Sequence, residues 1–157
     1  MTTKMTTFNF YDTSSLLLRA NNLFEDDNEN IVISSITLKE LENIKTSGNK
    51  DADVKYSARK LLHVLNENKN KYDCIIFKED MMQPIIEHNL PINDDMRILA
   101  CAIYYDHIYH PDETVFITND LSLKCIANLF FGEDSIFSIS EEQDDEYLGF
   151  IEVSMTE

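Results

Sequence analysis

Short β-branched or aromatic runs alternate with helix-period segments along almost the whole chain, and few folds accept that order. FNFY (8–11), IVISS (31–35), DCIIF (73–77) and TVFIT (114–118) read as strands, with SIFSIS (135–140) as a fifth. TSSLLLRANNLF, ITLKELENIK and LSLKCIANLF follow the first, second and fourth of them as helices. The clearest helix precedes the third strand. There Val54, Ala58, Leu61, Leu62 and Leu65 recur at i, i+4, i+7, i+8 and i+11, one apolar face over three turns. MRILACAIYYDHIY, starting from Asp94 or Asp95, is apolar nearly all round, as a centrally packed helix should be. MMQPIIEHNLPIN, broken by Pro84 and Pro91, reads as irregular. The order of elements predicts an α/β fold with a parallel sheet covered on both faces.

At 157 residues the chain fits one domain, expected to span 1–140, with 141–157 as an acidic C-terminal extension. The run EEQDDE at 141–146 opens that extension and reads as a solvated linker. Cys74, Cys101 and Cys125 are odd in number, far apart and each set in an apolar run, so they predict reduced core thiols rather than disulfides or a zinc site. No apolar run approaches the roughly 20 residues that span a bilayer, and MTTKMTTFNF lacks the apolar stretch of a signal peptide. The expectation is a soluble, cytoplasmic protein with no membrane partner.

Four carboxylates stand where strands give way to helices, or on the apolar face of one: Asp12, Glu40, Asp95 and Asp120. Taken singly, Asp12, Asp95 and Asp120 are equally readable as helix N-caps. Asp94 adjoins Asp95, and either of the two could cap while the other faces a site. Glu40 resists the bland reading. It shares a helix face with Ile36 and Ile44, where a carboxylate is costly without a cation or donors. Open α/β sheets bind ligands beyond the carboxyl ends of their strands, so four acids there predict one shared site. Crowded anions repel unless a cation joins them, and an all-oxygen set suits Mg²⁺ or Mn²⁺, one or two ions. Metal-dependent phosphodiester chemistry follows as the leading reading. His107 and His110, three apart, hint at zinc, but they stand outside the acidic set.

A net charge of −16 is awkward for binding nucleic acid, yet the charge is unevenly spread. Residues 39–78 hold nine of the thirteen Lys and Arg against six acids. Lys45, Lys50, Lys55, Arg59 and Lys60 form the expected RNA-binding stretch, against the plainer reading of a solvated surface.

With these residues assembled, the chain resembles the PIN-domain family of metal-dependent nucleases, and within it the amino-terminal PIN module of PhoH-like proteins. FYDTSSLL, IVISSITLKELENIK, KYSARKLLHVL, NDDMRILACA, VFITNDLSLKCIA and DEYLGFIEV carry the likeness, in family order from about residue 8 to 153. The resemblance implies a three-layer α/β/α sandwich around a parallel sheet of about four or five strands. It implies Asp12, Glu40, Asp95 and Asp120 as the acidic positions, backed by Thr118 and Asn119 before the last acid and Thr13 or Ser14 after the first. NDDMRIL carries one residue more than the usual string, which leaves Asp94 against Asp95 open as a metal ligand. The activity implied is endonucleolytic hydrolysis of single-stranded RNA, leaving 3′-hydroxyl and 5′-phosphate ends. A catalytically inactive PIN-like domain that binds protein or RNA is the alternative, and a homo-oligomer or protein partner is compatible with either. PhoH-like proteins continue into an ATPase domain, and this chain holds no Walker A sequence.

Overall fold

The structure, a computed structural model, describes residues 6–109 and 113–139. Five strands, β1 (Thr7–Tyr11), β2 (Asn30–Ser34), β3 (Tyr72–Ile75), β4 (Glu113–Ile117) and β5 (Ile136–Phe137), form one sheet in the order β3-β2-β1-β4-β5. Every pairing is parallel, as alternation with helices requires. The chain builds outward from β1 to β3, then crosses back to place β4 on the other side of β1. The strand order therefore reverses between β1 and β4, with Phe10 opposite Phe116 and Tyr11 opposite Ile117. A crevice beyond the carboxyl ends of those two strands is where such a sheet takes its ligand.

Alternate side chains along the strands feed two cores. Phe10, Val32 and Phe116 face α5 (Asp94–Tyr109). Tyr11, Ile31, Ile33, Val115 and Ile117 face α1 (Thr13–Leu18) and α3 (Ala52–Glu67), with Leu41 of α2 (Ser35–Thr46) among them. The α5 helix buries Met96, Ile98, Leu99, Ala100, Cys101, Ala102 and Tyr105, which is why its sequence shows no polar stripe. Tyr105 meets Phe8 and Phe10 edge-on at 5.3 and 6.4 Å between ring centres. Truncating Phe10 to Ala would cost about 3–5 kcal/mol through the cavity left behind.

Several local expectations need correction. The first helix stops at Leu18 rather than running to Phe24. Arg19 turns its guanidinium onto the Asn22 and Leu23 carbonyls, at 3.1 and 3.3 Å, and stabilises a chain of turns instead. MMQPIIEHNLPIN is not irregular throughout: a 3₁₀ turn (Glu79–Met82) leads into α4 (Gln83–Glu87), and Pro84 sits in its first turn, where no amide is needed. Asn89, at φ 54°, ends that helix in the left-handed conformation Asn tolerates. The fifth helix of the sequence reading, α6 (Leu121–Ala127), is shorter than LSLKCIANLF. Only Cys101 is a buried core thiol, Cys74 is half-buried and Cys125 exposed, because α6 covers the sheet with one face only. All three are free thiols. His110 and the acidic extension from residue 141, including EEQDDE and DEYLGFIEV, lie outside the described residues, as does the last residue of SIFSIS.

Candidate active site

Asp12 follows β1 directly. Its amide donates to the Ile117 carbonyl at 3.1 Å, so the β1–β4 ladder continues into the site. The side chain is 3% exposed and caps α1, accepting from the Ser15 amide at 3.0 Å. The Ser15 hydroxyl donates to the same oxygen at 2.6 Å, and the Thr118 hydroxyl to the other at 2.6 Å. Both carboxylate oxygens are held, one from each strand end. Burial pushes the Asp12 carboxyl above its ordinary pKa, the Ser15 and Thr118 hydrogen bonds resist, and Asp120 pushes it further up.

Thr118 links two acids. Its hydroxyl also accepts from the Asp120 amide at 3.1 Å, and Asp120 in turn caps α6 through the Leu123 amide at 3.2 Å. The backbone of Thr118 is tied to β5 by its amide on the Phe137 carbonyl, 2.9 Å, and by the Ser138 hydroxyl on its own carbonyl, 2.8 Å. Asn119 stands half-buried between Thr118 and Asp120.

Glu40, half-buried on α2, accepts from the Thr13 hydroxyl at 2.6 Å, and Thr13 lies 3.1 Å from the Thr37 hydroxyl. Its hydrogen-bond partner is thus neutral, not the Lys or Arg a structural carboxylate would recruit. Burial raises its pKa, the Thr13 bond opposes this, Asp94 and Asp95 raise it again, and the charge of Lys39 lowers it.

Neither Asp94 nor Asp95 caps α5. Asn93 does, through its side-chain oxygen on the Met96 amide at 3.0 Å. Both acids occupy the first turn and take different surroundings. Asp94 Oδ1 receives Lys39 at 3.2 Å and Arg97 at 2.8 Å. Burial works against its charge, but those two cations hold its carboxyl below the ordinary range. The Asp95 carboxyl is raised, first by burial and then by Asp12, Asp120 and Asp94. Asp94 is thus neutralised by two cations, while the charged neighbours that act on Asp95 are other carboxylates.

A cleft of about 400 Å³ joins these groups. Asp12, Thr13, Ser14, Glu40, Asp94 and Asp95 line it together with Leu17, Asn43, Ile44, Lys50 and Val54. Asp120 stands exposed at the adjoining strand end. Larger hollows of about 560 and 750 Å³ lie elsewhere, around Tyr72 and around Tyr11 and Glu29, so size alone does not mark the site. Among the described residues, no lysine or arginine pairs with Asp12, Glu40 or Asp95. Nor do any three carboxylates, imidazoles or thiols among them stand close enough to enclose an ion as they are. The donor set is hard oxygen throughout, which fits Mg²⁺ or Mn²⁺ chemically.

The basic stretch divides. Lys50 reaches the cleft, Lys45 is paired with Glu42 at 3.0 Å, and Lys55 is half-buried beside Val54. Arg59 and Lys60 line a separate hollow on α3. Sequence reasoning missed Ser15, Thr37, Lys39 and Arg97. Ser15 holds Asp12, whereas Ser14 is an exposed part of the cleft wall. Its spacing was the available signal, since the third residue after an Asp cap is the one whose amide the cap accepts from.

The sequence pattern of the PIN domain matches residues 10–130. The chain belongs to the PIN domain family. Among solved structures, VapBC2 from Rickettsia felis bound to a promoter DNA fragment is similar at TM-score 0.50 and 21% identity, covering 79% of this chain and 96% of the other. PAE2754 from Pyrobaculum aerophilum is similar at TM-score 0.54 and 16% identity, covering 88% of both chains. At such identities they show that the PIN fold is shared. No curated protein matches in sequence. No helix among the described residues of this PIN domain is long and apolar enough to cross a membrane.

Proposed function

We propose that this PIN domain is a metal-dependent endoribonuclease acting on single-stranded RNA. One observation carries the reading. Asp12, Glu40 and Asp95 are carboxylates pushed up in pKa by burial and by neighbouring acids, with no paired cation among the described residues. A fold tolerates that cost where function uses it. Asp12, Asp95 and Asp120 would hold one or two Mg²⁺ or Mn²⁺ ions, with Glu40 a further ligand or the group that orients the attacking water. Bound there, the metal supplies a Lewis acid and an activated water at neutral pH. The protein's share is positioning. Ser15 and Thr118 fix both oxygens of Asp12, Thr13 fixes Glu40, and Asn119 spaces Thr118 from Asp120. Asp94 is assigned to holding Lys39 and Arg97 beside the site rather than to the metal.

Lys50 would take the phosphate nearest the acids, with Lys55, Arg59 and Lys60 along α3 and Lys45 at its edge taking those further away. Within the family, the ordered strings from FYDTSSLL to VFITNDLSLKCIA support kinship to PhoH-like PIN modules. Residues 1–140 are taken as the nuclease domain and 141–157 as its acidic extension. A second reading, an inactive binding domain, draws on the net charge of −16 and on the separation of the acids without a metal. One assay decides between them. Purified protein with Mn²⁺ should cut single-stranded RNA internally, leaving 3′-hydroxyl and 5′-phosphate ends, and Asp12→Asn should not. RNA bound but uncut under Mn²⁺ and Mg²⁺ would favour the inactive domain.

A further inference from the structure

Three helices contribute one aliphatic side chain each to the lining of the acidic cleft: Leu17 from α1, Ile44 from α2 and Val54 from α3. All three are half-buried, and Leu17 and Ile44 also pack against the core. Asn43 and Lys50, both exposed, line the same cleft. Its lining thus combines carboxylates with aliphatic side chains, an amide and a single cation.

A phosphate alone gains nothing from Leu17, Ile44 and Val54. At about 400 Å³ the cleft is at the small end of ligand pockets. One unpaired nucleotide suits every side. A base presents a flat apolar face to Leu17, Ile44 and Val54, its polar edge falls within the province of the Asn43 carboxamide, and its phosphate lies toward Lys50. We infer that this cleft is a base subsite, seating the nucleotide next to the scissile phosphate. The inference rests on the nuclease reading and deepens it. Cleavage is confined to single strands because a paired base has both its edge and its faces already occupied.

The test compares two fluorescent hexamers, a mixed-sequence single-stranded RNA and the same ribose-phosphate chain without bases, by anisotropy in metal-free buffer, where the proposed nuclease does not cut. Wild type should prefer the base-bearing strand by about tenfold, the scale of one seated base. Ile44→Asn and Leu17→Asn, which replace the aliphatic surface by a polar amide, should reduce that preference below about twofold and leave affinity for the baseless strand unchanged. Asn43→Ala, an exposed change, should weaken the preference by a few-fold even if those two variants fold poorly. Tyr56→Ala, an exposed aromatic on α3 outside the cleft, should leave the preference intact. No preference in wild type, an undiminished preference in the cleft variants, or its loss in Tyr56→Ala overturns the subsite. The nuclease reading fails separately. Base preference with the expected variant pattern but no Mn²⁺-dependent cutting would overturn the activity and keep the subsite.

Discussion

Glu29 and Glu40 are both largely withdrawn from water, and their surroundings are opposite. Glu29, with a side chain 8% exposed, is paired to Arg19 at 3.0 Å and receives the Asn9 amide at 2.8 Å and the Tyr11 hydroxyl. Arg19 closes the circuit onto Tyr11. Every charge has a counter-charge, and the cluster knits β1 to the turns after α1. Glu40 has a threonine hydroxyl and, beyond it, Asp94 and Asp95, with Lys39 acting on it through space but not paired to it. A carboxylate that serves the fold is compensated where it sits. On the proposed function, one left among other acids takes its counter-charge from a bound metal.

The comparison breaks most sharply on activity. Asp12→Asn and Asp95→Asn should abolish RNA cleavage while circular dichroism stays unchanged. Ser15→Ala and Thr118→Val should lower activity by about 10–100-fold, since they loosen Asp12 without removing it. If Asp94→Asn proves as damaging as Asp95→Asn, the division of labour between the two acids is wrong.

Stability should separate the two regions next. Glu29→Gln leaves Arg19 without its counter-charge and should cost about 2–4 kcal/mol by urea unfolding. Glu40→Gln should be neutral or stabilising in metal-free protein, and a loss comparable to that of Glu29→Gln would make Glu40 a structural acid.

The pH response sharpens the contrast. Because Asp12, Glu40 and Asp95 have raised native pKa values, the folded state binds more protons than the unfolded chain between neutral pH and the ordinary carboxylate range near about 4. Their destabilising contribution is therefore relieved as pH falls through that window. Asp94, held low, works the other way, but loses its contribution only below it. Metal-free wild type should thus gain Tm on acidification relative to a Glu40→Gln, Asp95→Asn double variant. Mn²⁺ should reverse the trend, as protons compete for its ligands. Identical pH profiles for the two proteins without metal would remove the electrostatic basis of the comparison.

The smallest effect concerns the cations. Lys50→Ala should weaken RNA binding a few-fold and reduce the salt slope by about 1, while Lys45→Ala, already engaged by Glu42, should do less.

The sheet was legible because β-branched or aromatic runs separated by helix-period segments admit few arrangements, and Asp12 and Asp120 could be placed at strand ends for the same reason. Their position at the strand-order reversal was not legible, since strand order depends on which faces pack together. Helix ends were the weakest reading. α1 stops early because Arg19, with Glu29 ten residues on, stabilises turns, and no local propensity announces such a partner. Asn93 took the cap that Asp94 and Asp95 contested, and those acids are distinguished by Arg97, one helical turn from Asp94, together with the three-dimensional approach of Lys39. The basic stretch was visible as composition, but composition does not say which lysine reaches the cleft.

Calorimetric titration of metal-free protein with Mn²⁺ tests the central claim most directly. Wild type and Glu29→Gln should bind alike, and each should gain Tm as Mn²⁺ saturates the site. Asp12→Asn and Asp95→Asn should lose at least tenfold in affinity. Absence of binding to wild type, or equal affinity in the two Asn variants, would contradict the account, because the uncompensated acids would then have no cation to answer.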